Sequence, residues 1–156
     1  MNHRLAGALA ALVCVLALGS AYFAQYVLLL TPCELCLWER WPYRVALLLA
    51  LLAIMVRHAS ARVLFGLASA VMFANVLIAG LHVGVEWNWW NSPLPECNGA
   101  LTPGAPLPMF PATPCDRAVY LISHVHISMA MMDFIASLVF ALALAAYASR
   151  KPRRFR

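Results

Sequence analysis

The chain has 156 residues, of which 64% are hydrophobic and only 11% charged, with a net charge of +5. A soluble domain of this length has too little interior for so much apolar surface, which excludes an ordinary water-soluble enzyme and makes a bilayer the expected solvent. The positive balance does not indicate nucleic acid, because most of the basic residues stand where a membrane protein anchors its topology beside anionic lipid.

A spanning helix needs about 20 apolar residues, and four stretches have that length, at about 5–30, 37–56, 63–85 and 127–148. The first carries no charge, and its apolar run continues well past the roughly 7–15 residues of a signal-peptide core, so it is expected to stay as a span. Cys14 inside it reads as a small hydrophobe. A short outer loop, 31–36, leads into a second stretch that opens on aromatic and charged residues and is apolar from Val45 inward. The third is uncharged apart from His82, read as a satisfied or boundary histidine. An outer loop over 86–126 follows, with seven prolines from Pro93 to Pro114, which preclude a regular helix there. His124 and His126 precede the fourth span at a spacing that does not share a helix face, so an interfacial polar role outweighs a metal site. Asp133 lies within the fourth span. An acid there is costly, and it is expected near the outer boundary or paired with Arg40 or Arg44. A basic tail, 149–156, ends a single membrane domain covering 1–156.

Arg4, Arg57, Arg62, Arg150, Lys151, Arg153, Arg154 and Arg156 fall on one side of a four-span topology, and Arg40, Arg44 and Arg117 on the other. By the positive-inside rule both termini are then cytoplasmic. Four of the five cysteines, Cys33, Cys36, Cys97 and Cys115, fall on the outer side, where disulfides persist.

Three uses of these four thiols compete. A four-sulfur zinc site is disfavoured because Cys97 and Cys115 form no second C-x-x-C, and no metal is expected. Structural staples suit Cys97 and Cys115, but a bridge across two residues closes too small a loop to remove much unfolded-state entropy. Redox exchange suits Cys33 and Cys36, since a short ring opens and recloses readily. Pro32 sets up a helix start there, which places both thiols near unpaired amides and the positive end of the dipole. Arg40, four residues after Cys36, stacks on the same helix face. An interfacial arginine also commonly snorkels to headgroups or pairs with an acid such as Glu39. Trp38, Trp41 and Tyr43 suit an interfacial belt or the wall of a flat pocket for a quinonoid ring.

Pro32-Cys33-Glu34-Leu35-Cys36-Leu37-Trp38-Glu39-Arg40, the four-span layout, the second outer loop with Cys97 and Cys115, and Ser128-Met129-Ala130 at the start of span four together resemble the DsbB family of bacterial disulfide-generating membrane proteins. The resemblance covers nearly the whole chain in layout and is closest in sequence around 32–40. It implies an all-α four-helix membrane bundle and a protein-dithiol:quinone oxidoreductase of the bacterial inner membrane, with its redox cysteines periplasmic. The implied partner is a thioredoxin-like oxidase of the DsbA type, and the implied cofactor is ubiquinone or menaquinone from the membrane pool. By position, Cys33 and Cys36 become the membrane-proximal pair, Cys36 facing the quinone. Cys97 becomes the cysteine attacked by the reduced partner, Cys115 its mate, and Arg40 the quinone-side cation. Some relatives carry a histidine near the outer end of span three that is linked to quinone binding. The corresponding segment here is Glu86-Trp87-Asn88-Trp89-Trp90, which leaves that role vacant or with an aromatic. A quinone-epoxide-reductase-like enzyme is the alternative within enzymes, although that family carries its C-x-x-C near the last helices. A small membrane scaffold with a structural outer-loop disulfide is the non-enzymatic alternative.

Overall fold

The structure, a computed structural model, describes residues 2–94, 97, 114–120 and 127–150. Most of the proline-rich loop, His124, His126 and the tail beyond Arg150 lie outside the described residues. Among the described residues four helices run in chain order: α1 (His3–Tyr26), α2 (Glu34–Met55), α3 (His58–Glu86) and α4 (Met129–Ser149). The protein is thus an all-α four-helix membrane bundle, as its sequence predicts. α1, α3 and α4 are long and apolar enough to cross a bilayer. α2 is of similar length, but its first half carries Glu34, Glu39, Arg40 and Arg44.

Three of the four starts have a side-chain cap, and α3 has none. The Asn2 side chain accepts from Arg4 N, Cys33 Sγ from Cys36 N, and Ser128 Oγ from Met131 N, so a side chain satisfies one of the orphan amides of α1, α2 and α4. α1 stops at Tyr26, earlier than the apolar run to residue 30 suggests. There Leu28 N and Leu30 N fold back onto Phe23 O and Ala24 O, and Leu29 adopts a left-handed φ of 55°. This turn brings Pro32 and Cys33 back to the head of α2. Pro42 lacks an amide hydrogen, yet α2 continues through it.

Each helix packs on the next, α1 on α2, α2 on α3 and α3 on α4, while α1 and α4 barely touch. Arg62 Nη2 donates to Ala148 O at 2.7 Å and the rings of His3 and His58 meet at 5.5 Å, closing one end of the bundle. Ser128 Oγ donates to Glu86 Oε2 at 2.5 Å at the other end, where the cysteines are.

Alanines make up much of the interior, around a few large side chains such as Phe65 and Met72, and many large aliphatic side chains face outward. Ala46, Ala50, Ala53 and Ala61 are buried, whereas Leu16, Leu48, Leu77 and Val139 are exposed. This is what a lipid solvent selects: apolarity does not drive helices together there, so small residues let backbones approach and large ones face the acyl chains. One such approach lies between α1 and α2. A Cβ on Gly7 would stand 2.6 Å from Ile54 Cγ1 and 3.1 Å from Ala50 O. Gly7→Val is expected to lower stability by about 1–3 kcal/mol through overpacking. Thermal unfolding in detergent checks this, and an unchanged midpoint would mean that the α1–α2 seam yields freely.

Polar bonds cross the bundle where it is otherwise apolar. Asp133 on α4 accepts from Tyr43 OH on α2 and from Asn75 Nδ2 on α3, both at 2.8 Å. Of the two expected placements, Asp133 takes the one near the outer end of its span and pairs with neither Arg40 nor Arg44. The two arginines lie on the stripe of α2 that faces α1, and Tyr43 lies on the neighbouring stripe that faces α4.

Candidate redox site at the cysteine end

All four outer cysteines meet at one end of the bundle. Cys97 and Cys115 form a disulfide, while Cys33 and Cys36 are free thiols. Cys33, Cys97 and Cys115 are buried in a single cluster with Leu35 and Val85, and Cys36, Leu81 and Leu94 pack against it. The two pairs, some 60 residues or more apart in sequence, are thus neighbours across a small apolar contact. Cys115 N also donates to Cys97 O at 3.3 Å, which ties the two loop strands beside their bridge.

Cys33 caps α2. Its sulfur accepts the Cys36 amide at 3.3 Å, and the adjacent Cys36 thiol, as hydrogen-bond partner, is the largest influence lowering the Cys33 pKa below its ordinary value, against the opposing effect of burial. A helix N-terminus favours a thiolate in the same sense.

His82 is the residue that sequence reasoning missed. It is buried on α3, with Nε2 3.5 Å from Cys33 Sγ and Nδ1 2.8 Å from Glu39 Oε1. Cys33 Sγ, Cys36 Sγ and His82 Nε2 lie within 4.8 Å of one another, close enough to share a metal ion. Trp87, Trp89 and Trp90, placed by the sequence where a functional histidine would stand, are exposed. His82 lies one turn deeper than Glu86 and reaches the thiols instead. The available signal was the match of helical registers: His82 and Glu86 are four apart and share a face of α3. Nothing in one sequence says that this face meets Glu39.

A cavity of about 260 Å³ adjoins the thiols. Ala21 and Gln25 of α1 and Ala130 and Asp133 of α4 wall it on opposite sides, and Cys33, Cys36, Arg40 and His82 line it as well. It occupies the gap where α1 and α4 fail to meet. Among the aromatics considered for a ring pocket, Tyr43 lines the cavity, whereas Trp38 and Trp41 point outward.

Arg40 is buried, and among the described residues it pairs with no acid. Nη1 donates to Gln25 Oε1 at 2.6 Å, and the guanidinium lies 5.0 Å over the Tyr22 ring. Nε is buried with no hydrogen-bond partner among the described residues. Glu39, the adjacent acid, is taken by His82. Arg44 donates to Tyr22 OH at 2.6 Å, so both arginines brace α2 against α1.

The family model described as "Disulfide bond formation protein DsbB" matches residues 3–147. An uncharacterized protein of Rickettsia prowazekii (strain Madrid E) is 31% identical over 74 residues, 47% of this chain and 42% of that protein. The matched part thus spans about two fifths of that relative's length. No solved structure matches the chain.

Proposed function

The chain belongs to the DsbB family, disulfide-forming oxidoreductases of the membrane, and from that premise we propose that it reoxidises a thioredoxin-like dithiol oxidase of the DsbA type and delivers the electrons to a membrane quinone. The observation that carries this reading is the single buried cluster holding both cysteine pairs, set against a cavity between α1 and α4. The cysteine end faces the periplasm across a bacterial inner membrane and the termini face the cytoplasm, as Arg4, Arg57 and Arg62 at the opposite end favour.

The relay balances in three exchanges. The partner's thiolate attacks Cys97 Sγ, breaks the Cys97–Cys115 bond and expels Cys115 as a thiolate. The partner's second thiol then displaces Cys97, so that the partner leaves as a disulfide and the outer pair is a dithiol. The outer dithiol next reduces the Cys33–Cys36 disulfide, through one mixed disulfide, and recloses. The resulting arrangement, outer pair bridged and inner pair free, is the one in the structure.

The cavity residues fit a quinone. The orphaned Arg40 Nε–H needs an acceptor, and apolar walls from α1 and α4 suit a flat ring with an isoprenoid tail. A bound quinone supplies the acceptance of two electrons and two protons as Cys33 and Cys36 close to a disulfide. Arg40 holds positive charge where negative charge develops. Gln25 and Tyr22 fix the guanidinium, and Glu39 holds the His82 ring against Cys33. The gap between α1 and α4 admits a lipid-soluble molecule from the side.

Protein purified in detergent, mixed with a reduced thioredoxin-like oxidase and ubiquinone or menaquinone, is expected to consume quinone absorbance in step with partner oxidation. Partner oxidation with both quinones unchanged would overturn the assignment of the electron acceptor. Complete inertness of the partner would overturn the reading as a whole.

A further inference from the structure

We propose that the reduced Cys33–Cys36 pair and His82 form a binding site for a thiophilic divalent cation, zinc, which holds the relay in its dithiol state. The sequence weighed a four-sulfur site and the pair His124 and His126, and expected no metal. Folding brings in a nitrogen donor 49 residues from Cys33.

The geometry already approximates a tetrahedral site. Zinc bonds of about 2.3 Å to sulfur and 2.0–2.1 Å to nitrogen place tetrahedral ligands about 3.6 Å (S to N) and 3.8 Å (S to S) apart. The observed separation of Cys33 Sγ from His82 Nε2 is 3.5 Å, and all three donor atoms fall within 4.8 Å. Closing the set around an ion requires about an ångström of side-chain movement at most, by the same bond lengths.

The surroundings complete the case. Glu39 Oε1 at 2.8 Å from Nδ1 holds the proton on that nitrogen and leaves the Nε2 lone pair aimed at the sulfurs. A carboxylate behind the imidazole in this way orients the ring and raises its basicity as a ligand. Two thiolates neutralise a doubly charged cation, so the buried complex carries no net charge and avoids the penalty of an isolated ion. Arg40 lines the same cavity with a positive charge, and Glu39 and Glu86 line it with the opposite one. The cavity beside the thiols leaves a fourth position for water. Zinc displaces the two thiol protons to solvent, and no electron changes hands. Sulfurs bound to the ion cannot close to a disulfide, so electron delivery stops. Only that consequence rests on the proposed oxidoreductase function; the binding itself does not.

The test uses the full-length chain in detergent. One sample is fully reduced wild type. A second carries Cys97→Ser and Cys115→Ser, so that the outer thiols supply no ligand. Both are expected to retain one zinc per chain through gel filtration, and to lose it once Cys33 and Cys36 are oxidised. Cobalt in place of zinc is expected to give a sulfur-to-metal charge-transfer absorption that Cys36→Ser removes. Glu39→Gln is expected to weaken zinc affinity about 10–100-fold, and His82→Ala at least as much. Zinc retained equally by the oxidised protein or by His82→Ala, or absent from both reduced samples, would overturn the site. Partner-to-quinone turnover in the presence of a chelator is measured alongside. If turnover proceeds and zinc neither binds nor slows it, the metal site alone fails. If zinc binds as expected and turnover is absent even with chelator, the oxidoreductase reading alone fails.

Discussion

Cys97→Ser abolishes turnover with a protein dithiol but leaves quinone reduction by a small dithiol largely intact. The expectation follows from where each pair sits. Cys97 lies in the loop that closes the cysteine end, bridged to Cys115, whereas Cys33 and Cys36 line the cavity. A folded partner presents its thiol to a loop but cannot enter a space of about 260 Å³. A small dithiol can enter it and reach the inner pair directly. A lone Cys115 left beside Cys33 would itself form a mixed disulfide, so the paired Cys97→Ser, Cys115→Ser variant serves as the clean form of the experiment. Removing the bridge also costs stability, about 3 kcal/mol for a loop of this size. Thermal unfolding is therefore measured on the same samples. Equal loss of both activities in a variant that remains folded would show that electrons do not pass from the outer pair to the inner one.

Arg40→Ala is expected to slow electron delivery to quinone by about 10²–10³-fold, the usual effect of removing a donor aimed at developing negative charge. Formation of the mixed disulfide between the partner and Cys97 should proceed at its normal rate, since Arg40 lines the cavity whereas Cys97 does not. Arg40→Lys should recover only part of the rate. An ammonium restores the charge but not the fixed Nε–H direction of a guanidinium. Gln25→Ala separates chemistry from bracing, because it removes the 2.6 Å bond that ties Arg40 to α1 while leaving the cation in place. Rapid single-turnover mixing distinguishes the two exchanges. If Arg40→Ala slowed the partner exchange as much as quinone reduction, its role would be to hold α1 against α2.

Much of the architecture was legible because a bilayer imposes it. Uninterrupted apolar runs can satisfy their backbones in lipid only as helices, so the four helices and their approximate limits follow from composition. Cys33, Cys36 and Arg40 were legible for a related reason: three residues within two turns of one helix have a fixed mutual register. The limits that moved did so for local causes, such as the left-handed turn at Leu29 that ends α1 early.

The placement of charged residues between helices was not legible. Asp133 was expected near the outer boundary or beside Arg40 or Arg44; it lies in the second turn of α4, where Tyr43 and Asn75 hold it, and Arg40 and Arg44 turn to Gln25 and Tyr22. His82 was read as a satisfied or boundary histidine; it is satisfied, but by partners that no local pattern names, Glu39 and Cys33.

By itself the sequence determined that this is a four-helix membrane protein with a redox-suited C-x-x-C motif at the head of its second helix, since hydropathy and local spacing are properties of one chain segment at a time. Only the tertiary structure decided that the two cysteine pairs share a cluster, that His82 joins them, and that a cavity opens between α1 and α4. Those outcomes depend on how each helix is rotated about its own axis, and small interior side chains, through van der Waals fit and a few interhelical hydrogen bonds, set that rotation.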